Sequence, residues 1–486
     1  MLLNSNTTIV VGPPGTGKTR TLIDMVVEAV RSGCPPDYIC YMSFTRQAVK
    51  QAKNRIVKEL PDVDKDKFAG FRTLHSLCYW LVGAKPSDIL EAPPNLSDRL
   101  QEVVDHYDYL YSYSRMSGKD LKWVWEHKAK RTIGNEIDFL RWVQEYGAYK
   151  AQTQKIDFMD LVDGFISKEV VFPFTYLFID EAQDLTPQQW GAINQLAKYA
   201  QNVVVAGDVD QTIFAWAGAT SDILDELEGE KIFLTQSHRV PSKVHCVAKT
   251  ILGEMGKEII YRPTEEAGNI YWLRPEEVIQ LPLCNGESWY LLARNRCFLD
   301  ILEGSLKWHR LPYHRLGAVA GLDSLFEKYV RKIKQYQKLQ DGETVHQATY
   351  RRLEELSTNL KRHLKIGSDW ATAFDKVPMN HKKYIIEAMT KVDTSDIHVG
   401  TFHSSKGGEA DNVVLMGDAT DVCLQNLRVG KVEELRALYV ALTRTKKNLY
   451  ICSPVRMRGI PWSSILQQSQ GHINGLLSNA LIPLRT

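Results

Sequence analysis

Lys18 and Thr19 close the stretch Ile9-Val10-Val11-Gly12-Pro13-Pro14-Gly15-Thr16-Gly17-Lys18-Thr19, in which an apolar run meets a glycine-rich turn. The turn satisfies the pattern G-x-x-x-x-G-K-[ST] in full. Glycines let backbone N–H groups curl around an anion, and the start of a following helix adds partial positive charge. Thr21 to Val30 carries apolar residues at helical spacing, so the flanks suit that reading. There Lys18 is a point charge for outer phosphates and Thr19 a hydroxyl for Mg²⁺. A second chemical pair ends the buried-looking strand Phe174-Thr175-Tyr176-Leu177-Phe178-Ile179-Asp180-Glu181. Behind a complete phosphate loop, Asp180 reads as the holder of the Mg²⁺ shell. Glu181 reads as the group that orients and deprotonates an attacking water. A third apolar strand, Val203 to Asp208, leads into Val209-Asp210-Gln211-Thr212-Ile213-Phe214-Ala215-Trp216-Ala217-Gly218. Gln211 is an amide suited to sensing a γ-phosphate, and Phe214 and Trp216 are suited to stacking on something flat. The other reading of Trp216 is a core aromatic.

Groups this far apart in sequence meet only if a parallel sheet carries them, and the chain has that rhythm. Residues 1 to about 88 read as two βα units: the phosphate loop and its helix, then the strand Tyr38 to Phe44 and a helix running to Leu60, where Pro61 stops it. Pro93-Pro94 marks a change to helical, aromatic and basic segments up to about 155, including Lys119 to Trp125 and the run Lys128 to Arg131. This is a helical insertion whose tryptophans either touch a nucleic-acid backbone or simply pack. The sheet pattern resumes to about 228. A second α/β half is expected from 229 to 300, with Leu234 to Pro241 as a strand-to-helix turn and Trp289 to Arg294 as a strand. From 301 to 395 the rhythm is lost again. Lys328 to Lys365 is charged and helical, a second insertion with either a solvated face or a partner-binding one. Strands return at Ile397 and Asn412, then a helix from Glu433 to Leu442 and the strand Asn448 to Cys452, within 396–486.

A chain of 486 residues is long enough for two to four domains. Its 44% hydrophobic and 24% charged residues are ordinary for a globular protein. A net charge of +2 excludes a global basic field, so any nucleic-acid site is a local patch. The eight cysteines are scattered without a C-x-x-C pair, which points to reduced thiols rather than disulfides or zinc. No apolar stretch is long enough to span a bilayer. Asn4, Ser5 and Asn6 interrupt any leader-like run, so a cytoplasmic setting, on a nucleoid or in a host-cell cytoplasm, is expected.

The ordered set resembles the superfamily 1 helicases, and among them the UvrD/Rep/PcrA group. It comprises Gly12 to Arg20, Ser43-Phe44-Thr45, Thr73-Leu74-His75-Ser76, Asp180-Glu181-Ala182-Gln183-Asp184 and Gly207-Asp208-Val209-Asp210-Gln211 in the first half. Gln236-Ser237-His238-Arg239, Thr401-Phe402-His403-Ser404-Ser405-Lys406-Gly407-Gly408-Glu409 and Tyr439-Val440-Ala441-Leu442-Thr443-Arg444 follow in the second. The resemblance implies an α/β fold of two RecA-like parallel-sheet domains, each with an inserted helical subdomain. It implies ATP in the cleft between them and single-stranded DNA across both. Residues 1–88 and 156–228 would form the first such domain around the insertion 89–155. Residues 229–300 and 396–486 would form the second around a shortened insertion, 301–395.

By the same resemblance Lys18, Glu181, Gln211, Arg239 and Arg444 are the catalytic set, the two arginines reaching the γ-phosphate from the second domain. ATP contacts fall on Gly12, Pro13, Pro14, Gly15, Thr16, Gly17, Lys18, Thr19, Arg20, His238 and Glu409, and Mg²⁺ on Thr19 and Asp180. DNA contacts fall on Phe44, Thr73, His75, Phe214, Trp216, Thr401 and His403. Core histidines and plain strand threonines are the alternatives at His75, His403, Thr73 and Thr401. The chain departs from the family in three places: residues 1–11 hold no glutamine to read adenine, His238 stands where a tyrosine is usual, and Ala215 and Ala217 flank Trp216. The implied activity is an ATP-dependent helicase or translocase on single-stranded and tailed duplex DNA, moving 3′ to 5′, in replication, repair or recombination. The alternative is a DNA-stimulated ATPase that displaces proteins or remodels DNA with little strand separation. A monomer working with a single-strand-binding or loading protein is expected.

Overall fold

A computed structural model describes residues 6–96, 98–130, 132–168, 174–220, 222–317, 324–392 and 396–473; Arg131, the expected end of the basic run, lies outside them. The chain divides into two compact units, residues 1–238 with 260–262, and residues 239–259 with 263–486.

In the first unit six short strands form one parallel sheet: β1 (Thr7–Val11), β2 (Ile39–Met42), β3 (Phe71–Arg72), β4 (Tyr176–Ile179), β5 (Asn202–Gly207) and β6 (Glu230–Phe233), in the order β3-β2-β4-β5-β1-β6. The central strands are apolar throughout because helices cover both faces. Alternate side chains divide between the two faces. Ile9, Val203 and Val205 pack with Trp190 and Ile193, while Val10, Val204 and Ala206 pack with Leu22, Ile23 and Val26. Register decides where chemistry can gather. Val11 lies opposite Gly207, Ile179 opposite Val205, Met42 opposite Ile179 and Arg72 opposite Met42. The strands therefore finish together, and the loops after β1 to β5 leave from one end of the sheet. That end is where ligands bind in open parallel sheets.

The expected boundary after residue 228 falls inside this unit. Glu230–Phe233, expected to open the second half, pairs with β1 and completes the first sheet. Its side chains are mostly exposed, the signature of an edge strand. An edge strand reads alike whichever sheet it joins, so only pairing decides its place.

The first insertion holds the helices Gln101–Ser117, Leu121–Lys128 and Glu136–Thr153 around Tyr107, Leu110, Phe139, Trp142 and Tyr146. Trp125 stacks on Phe139 with centroids 5.6 Å apart, and Trp123 on His127 at 4.3 Å. Both tryptophans are packing residues here. An acidic ladder on the helix Phe158–Ser167 and its cap tethers the insertion. Lys150 meets Asp157 at 2.7 Å and Asp160 at 2.6 Å, and Arg115 meets Asp160 at 3.0 Å and also pairs with Asp163.

The second unit repeats the plan with β7 (Asn269–Leu273), β8 (Ser288–Ala293), β9 (His314–Arg315), β10 (Asp396–Thr401), β11 (Ala410–Met416) and β12 (Thr445–Cys452). All are parallel, in the order β7-β12-β11-β8-β10-β9. Between β9 and β10 lie the helices Leu325–Gln340, Gln347–Glu354, Leu360–Ile366, Trp370–Ala373 and Met379–Met389. Phe326, Ile333, Tyr336, Leu353, Leu360 and Phe374 form their core, so the charges of that stretch are its outer face. All eight cysteines are free thiols. Among the described residues no helix is long and apolar enough to cross a membrane.

Candidate functional site

The loop after β1 is shaped by its glycines. Gly15 and Gly17 hold φ values of 73° and 91°, where a side chain is strained. A Cβ at Gly12 would lie 2.6 Å from Thr16 Oγ1 and 2.7 Å from Lys18 Cγ. The helix Lys18–Arg31 then starts with Gly17 as its cap. No side chain caps it and no acidic residue lies in its first turn. Its leading N–H groups are thus left to an anion. Lys18, 8% exposed, donates from Nζ to Gly12 O at 2.5 Å. The segment before Arg239 braces the loop: Ser237 Oγ donates to Pro14 O at 2.8 Å and His238 N to Gly15 O at 2.8 Å. Arg20 is engaged elsewhere, with Asp24 at 2.8 Å on its own helix and with Glu59 at 3.6 Å.

Thr19 Oγ1 donates to Asp180 Oδ2 at 2.7 Å, and Tyr41 donates to the same oxygen at 2.9 Å. Asp180 is only 4% exposed. Burial and the neighbouring Glu181 carboxylate push its pKa up to about 6, against the two hydroxyl donors. The donor set suits Mg²⁺. One hydroxyl and one carboxylate are hard oxygen ligands, and this ion is bound by one or two carboxylates plus water and phosphate oxygens. Among the described residues no cluster of three or more His, Cys, Asp or Glu forms a cage for a metal. Glu181 holds φ 58°, ψ 40°, a left-handed backbone uncommon outside glycine and found at functional sites.

Tyr41, Gln183 and Asp208 join the site without having been assigned a role by sequence. Gln183 Nε2 donates to Glu181 Oε2 at 2.6 Å, and Gln211 Nε2 to Asp208 Oδ2 at 2.6 Å. Gln183 and Asp208 were legible only as members of the quoted motifs, and Tyr41 only as a strand residue.

Phe44, Phe214 and Trp216 gather beyond these carboxylates. Phe44 and Phe214 stack with centroids 4.9 Å apart, and Trp216 lies 6.4 Å from Phe214, tilted. Phe44 is 41% exposed and Trp216 54%, so neither is a core residue. A cavity of about 230 Å³ is lined by Ser43, Phe44, Thr73, His75 and Phe214, with Asp180 also in its lining. The metal candidate Asp180 and the strand candidates Phe44, Thr73, His75 and Phe214 thus line one cavity. His75 meets Phe158 edge-on at 5.9 Å, and burial lowers its pKa. Thr73 stands at the start of the helix Leu74–Val82 without bonding its backbone as a cap.

In the second unit Arg239, Glu409 and Arg444 come together. Arg239 Nε meets Glu409 Oε2 at 2.6 Å, and Lys446 Nζ approaches Glu409 Oε1 at 3.8 Å. Burial works to raise the Glu409 pKa, but Arg239 and the nearby cations outweigh it and hold it below the usual range. Arg444, 2% exposed, donates from Nε to Val440 O at 2.9 Å and from Nη1 to Gly408 O at 3.2 Å. The helix Val432–Leu442, which delivers it, is pinned at its start by a two-pronged pair, Arg294 with Glu434 at 2.7 and 2.9 Å. Thr401 and His403 lie at the other end of this sheet. The Thr401 hydroxyl is taken up in a tight turn with Ser404, at 3.1 Å from its N–H. His403 is half-buried.

Residues 1–217 match the family described as an AAA domain, and residues 317–455 the UvrD-like helicase C-terminal domain. A Mycoplasma pneumoniae protein named as a probable DNA helicase II homolog is 28% identical over 294 residues, 50% of this chain and 40% of that one. YjcD of Bacillus subtilis, provisionally named as an ATP-dependent DNA helicase, is 24% identical over 610 aligned positions, 93% of this chain and 77% of that one. DNA helicase II of Escherichia coli is 25% identical over 291 residues, 52% of this chain and 39% of that one. The chain thus spans about two fifths of the first and last of these relatives.

Proposed function

Since this chain belongs to the UvrD-like helicases of superfamily 1, we propose that it is an ATP-driven motor on single-stranded DNA that separates duplex strands. The observation that carries this reading is that Asp180 and the aromatic residues Phe44 and Phe214 line one cavity. A nucleotide switch needs no stacking surface beside its metal carboxylate. A sequence-blind strand-binding protein needs one, because every base offers a π-face, contributing roughly 1–3 kcal/mol per base.

In this reading the N–H groups of residues 12–19 and Lys18 bind the phosphates. Mg²⁺ is held by Thr19 and Asp180, and when bound it neutralises charge on the outer phosphates. Glu181 accepts a proton from the attacking water, and Gln211 reports the γ-phosphate to the loop that carries Phe214 and Trp216. Arg239 and Arg444 are assigned to the developing negative charge. Catalysis is then positioning and electrostatics, with direct attack by water and no covalent intermediate. His238 and Glu409 are assigned to the nucleoside end, and Phe44, Thr73, His75, Thr401 and His403 to the strand. Movement 3′ to 5′, work in replication, repair or recombination, a cytoplasmic setting and a monomeric state complete the proposal.

Phosphate release and strand separation on DNA with 3′ or 5′ tails, against RNA equivalents, test it together. Stimulation by single strands with unwinding of the 3′-tailed duplex is expected. No stimulation by any single strand would overturn the motor reading. Stimulation with displacement of a bound protein but no unwinding would favour the remodelling alternative.

A further inference from the structure

Gln183 is fully buried, at 0% exposed, in the short turn Ala182–Asp184. Its amide is bonded at both ends. Nε2 donates to Glu181 Oε2 at 2.6 Å, and Oε1 accepts from Asp208 N at 3.0 Å. The next link is Asp208, whose Oδ2 accepts from Gln211 Nε2 at 2.6 Å and whose Oδ1 accepts from Asp210 N at 3.1 Å. Phe214 and Trp216 follow on the same loop. A carboxylate only accepts and a peptide N–H only donates, so the group between them must do both. The Gln183 amide meets that demand with two separate atoms, a donating Nε2 and an accepting Oε1. Glutamate would set two carboxylates face to face, and methionine would bond neither partner. Gly207 preserves the fit, since a Cβ there would stand 2.8 Å from Gln183 Oε1 and 2.5 Å from Leu224 Cδ2. Gly207 O in turn accepts from Gly12 N at 3.2 Å, which ties the same junction to the phosphate loop.

We propose that Gln183 is a positioning residue that couples the Glu181 carboxylate to the loop 208–216, so that a strand seated on Phe214 and Trp216 sets the orientation of the group that activates water. This rests on the reading of Glu181 as the water-activating group. A shift of that loop moves the Asp208 N–H, and Gln183 carries the movement to Glu181 without any contact between strand and nucleotide.

The test is steady-state ATP hydrolysis by the full chain, with and without an oligodeoxythymidine strand, for Gln183→Met and Gln183→Glu. With saturating strand, kcat should fall about 10- to 100-fold, the rate equivalent of one hydrogen bond to a charged group. KM for ATP and the strand Kd should hold, so the ratio of stimulated to unstimulated turnover collapses. Adding Trp216→Ala to Gln183→Met should remove no further stimulation, because both act on one path. An unchanged stimulation ratio in folded variants would overturn the coupling role, as would losses that multiply independently in the double variant. Asp208→Ala cuts the next link and carries the same expectation if Gln183→Met does not fold. Glu181→Gln separates the two levels. Wild-type turnover in that variant would overturn the function of Glu181 itself, whereas an inactive Glu181→Gln beside fully stimulated Gln183 variants would overturn the coupling alone.

Discussion

Lys18→Ala removes the one side-chain cation of the phosphate loop, and the structure bounds what that costs. Lys18 is 8% exposed, so its ammonium works in a partly desolvated setting rather than in bulk water. With an effective dielectric near ~20 and ~4 Å to a phosphate oxygen, one charge pair contributes about 4 kcal/mol, or about 10³-fold in rate. The fold should tolerate the change. The lost bond from the charged Nζ to Gly12 O is worth about 1.5–3 kcal/mol, and alanine, the better helix former at the start of Lys18–Arg31, returns a few tenths of that. The expected result is a kcat/KM for ATP about 10³-fold lower, a thermal transition lowered by only several degrees, and unchanged affinity for single-stranded DNA without nucleotide. Phosphate release, a melting curve and strand-binding anisotropy measure the three. A folded variant that turns over ATP at the parental rate would refute the assignment of the phosphate site. Loss of folding in step with activity would refute the claim that Lys18 is spared a structural role.

Trp216→Ala should weaken strand binding and half-saturation of the stimulated ATPase roughly 5- to 150-fold, from about 1–3 kcal/mol of stacking, while leaving stability nearly unchanged. Parental stimulation at low strand concentration would count against stacking there. Arg294→Ala leaves the buried Glu434 carboxylate without its two-pronged partner and should cost about 3–5 kcal/mol of stability. Arg294→Lys should recover little of it, because an ammonium cannot form both prongs. A denaturation midpoint equal to the parent's would show that the pair does not hold the helix carrying Arg444. Asp108 is pushed up to about 6 by burial, with Asp157 and Asp105 adding to it, so its charged form opposes folding. That penalty is full above the folded value and gone below the ordinary value of 3.8, and about 3 kcal/mol is its upper limit. Asp108→Asn should therefore be more stable than the parent at about pH 8, with the gain fading as pH falls to about 4. A gain that persists in acid would refute burial of the charge as its cause.

Some elements were legible because local sequence carries their whole cause. The apolar run before Gly12 and the glycines that follow dictate a strand, a turn and a helix start through backbone sterics. The helices Arg46–Glu59 and Val432–Leu442 lie within a few residues of where periodicity puts them. Three things were not legible. β6 reads as an edge strand of either sheet, and β9 is a two-residue strand with no pattern to find. Trp123 and Trp125 face packing partners on the helices Leu121–Lys128 and Glu136–Thr153, and partner choice has no sequence period.

Residue types and spacing by themselves determined that this protein carries a phosphate loop with a metal-binding hydroxyl, a strand ending in two carboxylates, and two α/β halves interrupted by helices. Each follows from short-range rules that act within a few residues. Tertiary structure alone decided that the loops after β1, β2, β4 and β5 leave from one end of a sheet, that Thr19 and Tyr41 share one oxygen of Asp180, and that Gln183 bridges Glu181 to Asp208. The reason is strand register. Hydrogen bonds between strands far apart in the chain choose which ends coincide, and no local preference encodes that choice.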